Sequence, residues 1–216
     1  MKKLLLILLC FPFIGFGQLD NPRIGMKVGN SFSTITANNF NSLPLEEWNG
    51  ISEKDKTILK NPGLIIGLYT TTKTRKFFIN SLTYKIQNEL FYHQKGYKYS
   101  KQPVSYFRER FNYIEFTSLF SLILMNNISL DLGPYWGFFT GGKQLQYHED
   151  YGFSSFDYDV FTFSNIDFGV NTGLSFYLNN VTNINFRFGK GMKNYLDDLD
   201  SKNITYQISF GYLFRQ

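Results

Sequence analysis

The chain has 216 residues, of which 22 are basic and 17 acidic, and aromatic residues make up 19% of it. This modest excess of positive charge does not favour a nucleic-acid-binding protein, which needs a strongly basic surface. The mean hydropathy of −0.21 resembles that of a soluble protein. It does not exclude a membrane β-barrel, because half of the residues in each barrel strand face a polar interior.

The first segment has the pattern of a secretory signal peptide. Lys2 and Lys3 precede an apolar run over residues 4–14, and small residues follow that run. The run is too short to cross a bilayer as a helix. Its charged, apolar and small-residue parts come in the order of a cleavable leader. We therefore predict a signal peptide over residues 1–17 and a mature domain over residues 18–216.

Removal of this leader would change the charge and the cysteine content of the chain. Lys2, Lys3 and Cys10 would leave with it, so that 20 basic residues face 17 acidic ones and no cysteine remains. Such a mature chain has no disulfide and no thiol chemistry. A lipid anchor on Cys10 is the less favoured alternative, because Leu9 stands where a small residue is expected.

Eight later segments alternate apolar and polar side chains, as strands do when their two faces meet different surroundings. In chain order, the first seven predicted strands cover residues 23–34, 62–72, 78–92, 111–122, 128–139, 163–178 and 181–188. The eighth ends at Phe214 and is the clearest, with apolar side chains at Ile204, Tyr206, Ile208, Phe210, Tyr212 and Phe214. In each strand one face is apolar and aromatic, and the other is polar and rich in glycine.

The segments between these strands alternate between short links and long polar stretches. Asn179-Asn180 is one of the short links, and Asn tolerates the positive φ that such turns require. The alternation is typical of barrels with short periplasmic turns and long extracellular loops. Because backbone groups must be paired in hydrocarbon, the first and last strands must join. We predict an all-β fold: an eight-stranded antiparallel up-and-down transmembrane β-barrel.

Several charged residues fall on the polar faces that would line the barrel interior. A barrel of about eight strands is filled by its own side chains, and a buried charge is tolerated only when it is paired. We therefore predict an internal salt-bridge lattice and no open pore. The lattice residues are Lys27, Lys85, Glu89, Glu115, Asp131, Asp167 and Arg187.

The predicted loops contain both histidines and many aromatic residues. His93 and His148 stand in no catalytic or metal-binding motif, so we predict no catalytic, cofactor-binding or metal site.

Aromatic rings beside cations in these predicted loops are candidates for contacts with a partner. The candidates are Tyr97, Tyr99, Trp136, Tyr147 and Tyr151. The alternative is that such rings form the interfacial girdle and pack within the loops.

A set of short pieces carries a resemblance to a known family. In chain order they are GMKVGNSFS (25–33), NELFYHQKG (88–96), YIEF (113–116), DLGPYWG (131–137), DFG (167–169), NTGL (171–174), RFGKGMKN (187–194) and SFGYLF (209–214). In this order the pieces resemble the PorT-like family of outer-membrane β-barrel proteins, the outer membrane protein β-barrel domain group. The resemblance implies a barrel in the outer membrane, and by analogy of fold a link to protein secretion. The chain departs from the family at its end, where two polar residues follow Phe214.

These patterns favour a non-enzymatic outer-membrane protein of a Gram-negative bacterium, with a structural or interaction role that is accessory to protein secretion or surface assembly. We expect outer-membrane lipid around the barrel, a protein partner at the extracellular loops, no nucleic acid and no cofactor. Two alternatives remain open. One is a soluble lipocalin-like barrel whose apolar faces line an inner calyx, and the other is a barrel enzyme that uses the loop histidines.

Overall fold

The computed structural model describes residues 22–37, 57–76, 82–101, 105–125, 127–148, 152–158, 166–194 and 201–214. The predicted signal peptide lies outside the described residues. Within them the chain forms strands: β1 (Arg23–Ala37), β2 (Thr57–Thr71), β3 (Arg75–Lys76), β4 (Thr83–Lys101), β5 (Ser105–Met125), β6 (Ile128–His148), β7 (Gly152–Tyr158), β8 (Ile166–Tyr177), β9 (Thr182–Gly191) and β10 (Ser201–Leu213). None of the described residues belongs to a helix long and apolar enough to cross a membrane.

Eight of these strands form a closed antiparallel ring. The ring order is β1, β2, β4, β5, β6, β8, β9 and β10, and β10 pairs with β1 again. The closing ladder is long and regular, with Met26 opposite Tyr212 and Ser33 opposite Thr205. The short strands β3 and β7 pair with β4 and β6 and lengthen those two walls. The predicted eight-stranded barrel is confirmed, and each of the eight ring strands described here pairs with a neighbour on both sides.

The two faces of the wall differ in chemistry as the alternation predicts. Apolar side chains of the barrel strands point outward and stay exposed, for example Leu90 at 53%, Phe186 at 48% and Phe210 at 44%. Polar side chains on the opposite face, such as Lys27 and Glu89, are buried inside. The outward apolar series runs from Tyr206 on β10 to Phe214, directly after the end of the strand. This length matches the roughly 9–11 residues that a tilted strand needs to cross hydrocarbon.

This arrangement is that of a transmembrane barrel, and it overturns the lipocalin-like alternative. A calyx would require Ile208, Phe210 and Tyr212 to line the interior. All three face outward instead, and the interior positions between them on β10 are Gln207, Ser209 and Gly211. Exposing an apolar belt of this extent to water would be costly, whereas in lipid the same belt is solvated.

Two inward glycines give room to large rings on the neighbouring strand. Gly25 stands opposite Tyr69, and Gly169 stands opposite Tyr135. A Cβ added at either glycine would lie within 3 Å of the tyrosine ring. Both tyrosines are almost completely buried, so these glycines allow rings to fill the core of a narrow barrel.

The two ends of the barrel differ in the length of their walls. Short connections at residues 72–74 and 178–181 lie at one end, together with Arg23 and Leu213; we call this the turn end. At the opposite end, which we call the extended end, the wall formed by β4, β5 and β6 continues to Lys101 and His148. These three strands have 19, 21 and 21 residues, against 13 for β10 and 10 for β9.

The extended end corrects two of the predicted loops. The sequence pattern predicts a loop over residues 93–110, but β4 and β5 run through nearly all of it, and β6 and β7 occupy much of the predicted loop over residues 140–161. The reason lies in the surroundings of the wall. Once a strand has left the hydrocarbon, its outward residues become polar, so the apolar alternation stops although the backbone pairing continues.

Candidate functional site

The barrel interior is where the chain concentrates its buried charge. The seven residues of the predicted lattice all lie there and are at most 8% exposed (Lys27, Lys85, Glu89, Glu115, Asp131, Asp167 and Arg187). Strand alternation explains this placement. Each of the seven residues is an even number of positions from an inward glycine or serine on its own strand, or lies directly opposite an inward residue of a paired strand. The structure groups most of these residues into two clusters.

The first group, which we call the lower cluster, consists of Lys27, Glu89 and Arg187. Lys27 Nζ lies 2.5 Å from Glu89 Oε1, and Arg187 contacts both carboxylate oxygens, Nη1 to Oε2 at 2.5 Å and Nη2 to Oε1 at 3.1 Å. The Gln87 side-chain amide also donates to Glu89, at 2.6 Å. One buried carboxylate thus holds two cations, and the fork of the guanidinium supplies the bidentate geometry that favours such pairs.

Asp131 and Lys85 lie near the lower cluster, but the described contacts include no ion pair for either. The Asp131 carboxylate accepts hydrogen bonds from the Ser129 hydroxyl at 3.0 Å and from the Ser175 hydroxyl. Lys85 Nζ lies over the Tyr177 ring, 3.9 Å from its centroid. Hydroxyl donors and a ring face therefore compensate these two charges at short range.

The second group, which we call the upper cluster, consists of His93, Lys95, Glu115 and Asp167. Lys95 Nζ lies 2.6 Å from Glu115 Oε2 and 2.8 Å from Asp167 Oδ2. His93 Nδ1 lies 3.0 Å from Glu115 Oε2. Asp167 also accepts hydrogen bonds from Asn203 at 3.1 Å and from the Tyr135 hydroxyl at 3.4 Å. One buried cation here holds two carboxylates.

Sequence reasoning missed Lys95 and misplaced His93, because both fall beyond the predicted end of their strand. The structure places both on β4, with Lys95 1% and His93 0% exposed. His93 is therefore a buried histidine and not a loop residue. The alternation along β4 could have indicated this placement. Residues 93 and 95 continue the series of every second residue that begins with the inward Glu89 and Phe91.

The candidate partner-contact residues do not form one site. Tyr97 lies on β4 and is buried, and Trp136 lies on β6 within the apolar belt, where its ring packs between Phe116 and Phe168 at centroid distances of 6.0 and 5.7 Å. The prediction that these two residues lie in loops is wrong, because the long strands carry both positions into the wall. Tyr99 and Tyr147 lie on the extended parts of β4 and β6, and Tyr151 lies outside the described residues.

The two clusters complement each other in charge. Lys95 adds a fourth cation to the predicted three, so that the four cations and four carboxylates named above balance. His93 and Glu115 have the geometry of an acid–base pair, but both are enclosed by the barrel wall. The described residues contain no group of three side chains that could hold a metal ion.

Comparison with solved structures finds barrels of the outer membrane. The chain is similar to Ail of Yersinia pestis (14% identity, TM-score 0.46, covering 90% of this chain and 100% of that one). It is similar to Neisserial surface protein A (12%, 0.49, 90% and 100%) and to the outer membrane protein OprG of Pseudomonas aeruginosa (16%, 0.29, 90% and 95%). Comparison with protein-family models finds no match, and comparison with curated proteins finds none.

Proposed function

We propose that the protein is a non-enzymatic barrel of the Gram-negative outer membrane, with a structural or interaction role. The transmembrane part is a filled scaffold, and the extended end presents its wall to a protein partner. The resemblance to PorT-like barrels adds that this role is accessory to protein secretion or to surface assembly. The chain reaches the membrane after removal of its N-terminal signal peptide.

The single observation that carries this proposal is the occupied interior. Glu89 on β4 contacts Lys27 on β1 and Arg187 on β9, and Lys95 on β4 contacts Asp167 on β8. These strands are not neighbours in the ring, so the contacts cross the lumen. A water-filled pore needs an open lumen, and an enzyme needs a group that substrate can reach. Because the buried charges are paired with one another, this interior favours the role of a rigid scaffold over that of a channel or a catalyst.

The extended end supports the interaction role. About 9–11 residues suffice for a strand to cross hydrocarbon, whereas β5 and β6 have 21 residues each. The excess raises the wall formed by β4, β5 and β6 beyond the apolar belt on one side of the barrel. Tyr99 and Tyr147 lie on this raised part, so it offers a paired, rigid sheet for recognition of another protein.

Crosslinking in intact cells tests the interaction role directly. A photoreactive amino acid is placed at Tyr99 or at Tyr147, and the crosslinked proteins are identified. We expect a probe at position 147 to capture the partner. Position 99 has the opposite parity in the paired strands, so a probe there tests whether the same partner also reaches the other face of the wall. The matched control places the probe at Lys73, an exposed residue at the turn end, and should not capture that partner.

Shortening the raised wall provides the second arm of this test. Residues 99–107 are replaced by an Asn-Gly turn, which joins the neighbouring pair Lys98 and Arg108 and leaves both internal clusters intact. The shortened barrel should fold and reach the outer membrane but lose the crosslinked partner at position 147. An unchanged set of partners would contradict the interaction role.

A further inference from the structure

One polar side chain interrupts the apolar belt on the outer face of β1. Lys27 and Ser31 on this strand are buried inside the barrel, so alternation directs the exposed Asn30 outward. The nearest outward residues on the same strand are Val28 and Phe32, and both are exposed. Asn30 therefore faces the same surroundings as these apolar side chains.

The strands on both sides of β1 also surround Asn30 with apolar side chains. Leu64 on β2 and Ile208 on β10 stand directly opposite Asn30, and both are exposed. Towards the extended end the next outward residues on β1 are Phe32 and Thr34. At about 3.3 Å per residue and a tilt near 45°, Thr34 lies roughly 9 Å above Asn30. The short asparagine side chain does not span that distance, so its amide stays within the belt.

A second asparagine of the belt shows how the barrel can satisfy such a group. Asn88 on β4 also points outward, because its neighbours Gln87 and Glu89 are inward. Its amide oxygen accepts a hydrogen bond from the Ser118 hydroxyl at 2.8 Å, and the residue is 6% exposed. Asn30, in contrast, is exposed, and the described residues offer its amide no hydrogen-bond partner. Because an amide without a hydrogen bond is costly in hydrocarbon, Asn30 needs a partner from outside its own barrel.

The chemistry and the depth of Asn30 indicate which partner that is. Lipid tails carry no hydrogen-bond donor or acceptor, whereas a side-chain amide carries both. Two amides that face each other are therefore complementary in their partial charges, N–H group to carbonyl oxygen. A second copy of this chain in the same membrane holds its own Asn30 at the same depth. A two-fold axis along the membrane normal brings the two amides together.

We propose that two copies of the chain associate side by side in the membrane through the outer face of β1, with their Asn30 amides hydrogen-bonded to each other. Each Nδ2 donates to Oδ1 of Asn30 of the partner subunit, so that both amides are satisfied at once. Four apolar side chains surround this contact and exclude lipid from it (Val28, Phe32, Leu64 and Ile208). The inference rests on the membrane location of the belt and not on the interaction role of the extended end.

Energy transfer between labelled copies tests the proposal. The full mature chain with Lys73→Cys, at the exposed turn end, carries a donor or an acceptor dye. Both forms are inserted from outside into preformed phosphatidylcholine vesicles, and energy transfer is followed as the ratio of protein to lipid is lowered. We expect association that Asn30→Leu weakens about ninefold, because two hydrogen bonds within a membrane contribute roughly threefold each. Asn30→Gln keeps an amide and should retain more of the association than Asn30→Leu.

Two controls make the result specific. Asn88→Leu removes the same amide from the outer face of β4 and should leave the association within about twofold, because that amide is bonded within its own barrel and distant sites act independently. Disulfide formation locates the interface. Val28→Cys, beside Asn30, should give a crosslinked dimer on oxidation, whereas Leu132→Cys on β6, four strands from β1 in either direction around the ring, should not. Folding of every variant is checked by heat-dependent electrophoretic mobility.

Each other outcome overturns the proposal. Equal association of wild type and Asn30→Leu excludes the amide pair, and an equal loss in Asn88→Leu attributes the association to any amide that faces lipid. Equal crosslinking at positions 28 and 132 would indicate random collision of the barrels. Failure of the barrel to insert into vesicles would contradict the membrane location itself, whereas insertion without energy transfer contradicts the pairing of two copies alone.

Discussion

The lower and upper clusters inside the barrel have opposite compositions. In the lower cluster one carboxylate, Glu89, holds Lys27 and Arg187, and in the upper cluster one ammonium group, Lys95, holds Glu115 and Asp167. Each cluster alone carries an uncompensated charge, and the two together offset each other. The closed interior thus combines ion pairs within each cluster with a balance of net charge between the two, and the central residue of each cluster is the one whose loss costs most.

The largest effect is expected for Glu89→Ala in the lower cluster. It leaves two buried cations without their shared partner, which should lower the free energy of unfolding by about 3–5 kcal/mol. Urea unfolding in lipid vesicles, followed by tryptophan fluorescence, measures this change. Gln87→Ala removes a similar volume from the same face of β4 without removing a charge, and should cost clearly less. An unchanged unfolding midpoint for Glu89→Ala would show that Glu89 does not hold these cations.

A smaller loss is expected for Lys95→Met in the upper cluster. It leaves Glu115 and Asp167 without their shared cation, but Glu115 keeps His93, and Asp167 keeps Asn203 and Tyr135. We expect a loss of about 3 kcal/mol, the lower end of the range for a broken buried pair. Lys98→Met is the matched control, the same change on the outer face of the same strand, and should stay within about 0.5 kcal/mol. Equal losses in both variants would refute an inward Lys95.

The smallest effect is expected for His93→Gln, because the amide N–H can still donate to Glu115. The loss should be about 1 kcal/mol or less. His93→Phe keeps a ring but removes the donor, so it should cost more than His93→Gln in the same unfolding measurement. The reverse order would show that the ring of His93, and not its hydrogen bond to Glu115, stabilises the upper cluster.

The sequence allows the faces of the wall to be predicted, but not the full length of the strands. Within the belt, apolar residues such as Leu90 alternate with inward ones such as Glu89, so the position of each side chain can be read from parity. Beyond Tyr92 the outward positions on β4 are Gln94, Gly96 and Lys98. No apolar contrast is left there to mark a strand, although pairing with β5 continues.

This limit explains which parts of the interior could be predicted. Lys27, Glu89, Glu115 and Arg187 lie where the belt surrounds the barrel, and their inward positions follow from the sequence. His93 and Lys95 lie where the alternation has ended, and only strand pairing places them. Which cation meets which carboxylate depends on contacts between walls that are distant in the sequence, such as those between β1 and β4, and alternation along a single strand does not contain that information.

Spin labels on β10 test most directly whether apolar side chains face lipid and polar ones face a closed interior. Single cysteines at positions 207 to 212 of the mature chain carry a nitroxide in lipid vesicles, and collisions with oxygen, which concentrates in lipid, are measured. We expect a period of two, with high oxygen collision rates at Ile208, Phe210 and Tyr212 and low rates at Gln207, Ser209 and Gly211. High rates at Ser209 with low rates at Phe210, or no alternation, would contradict it.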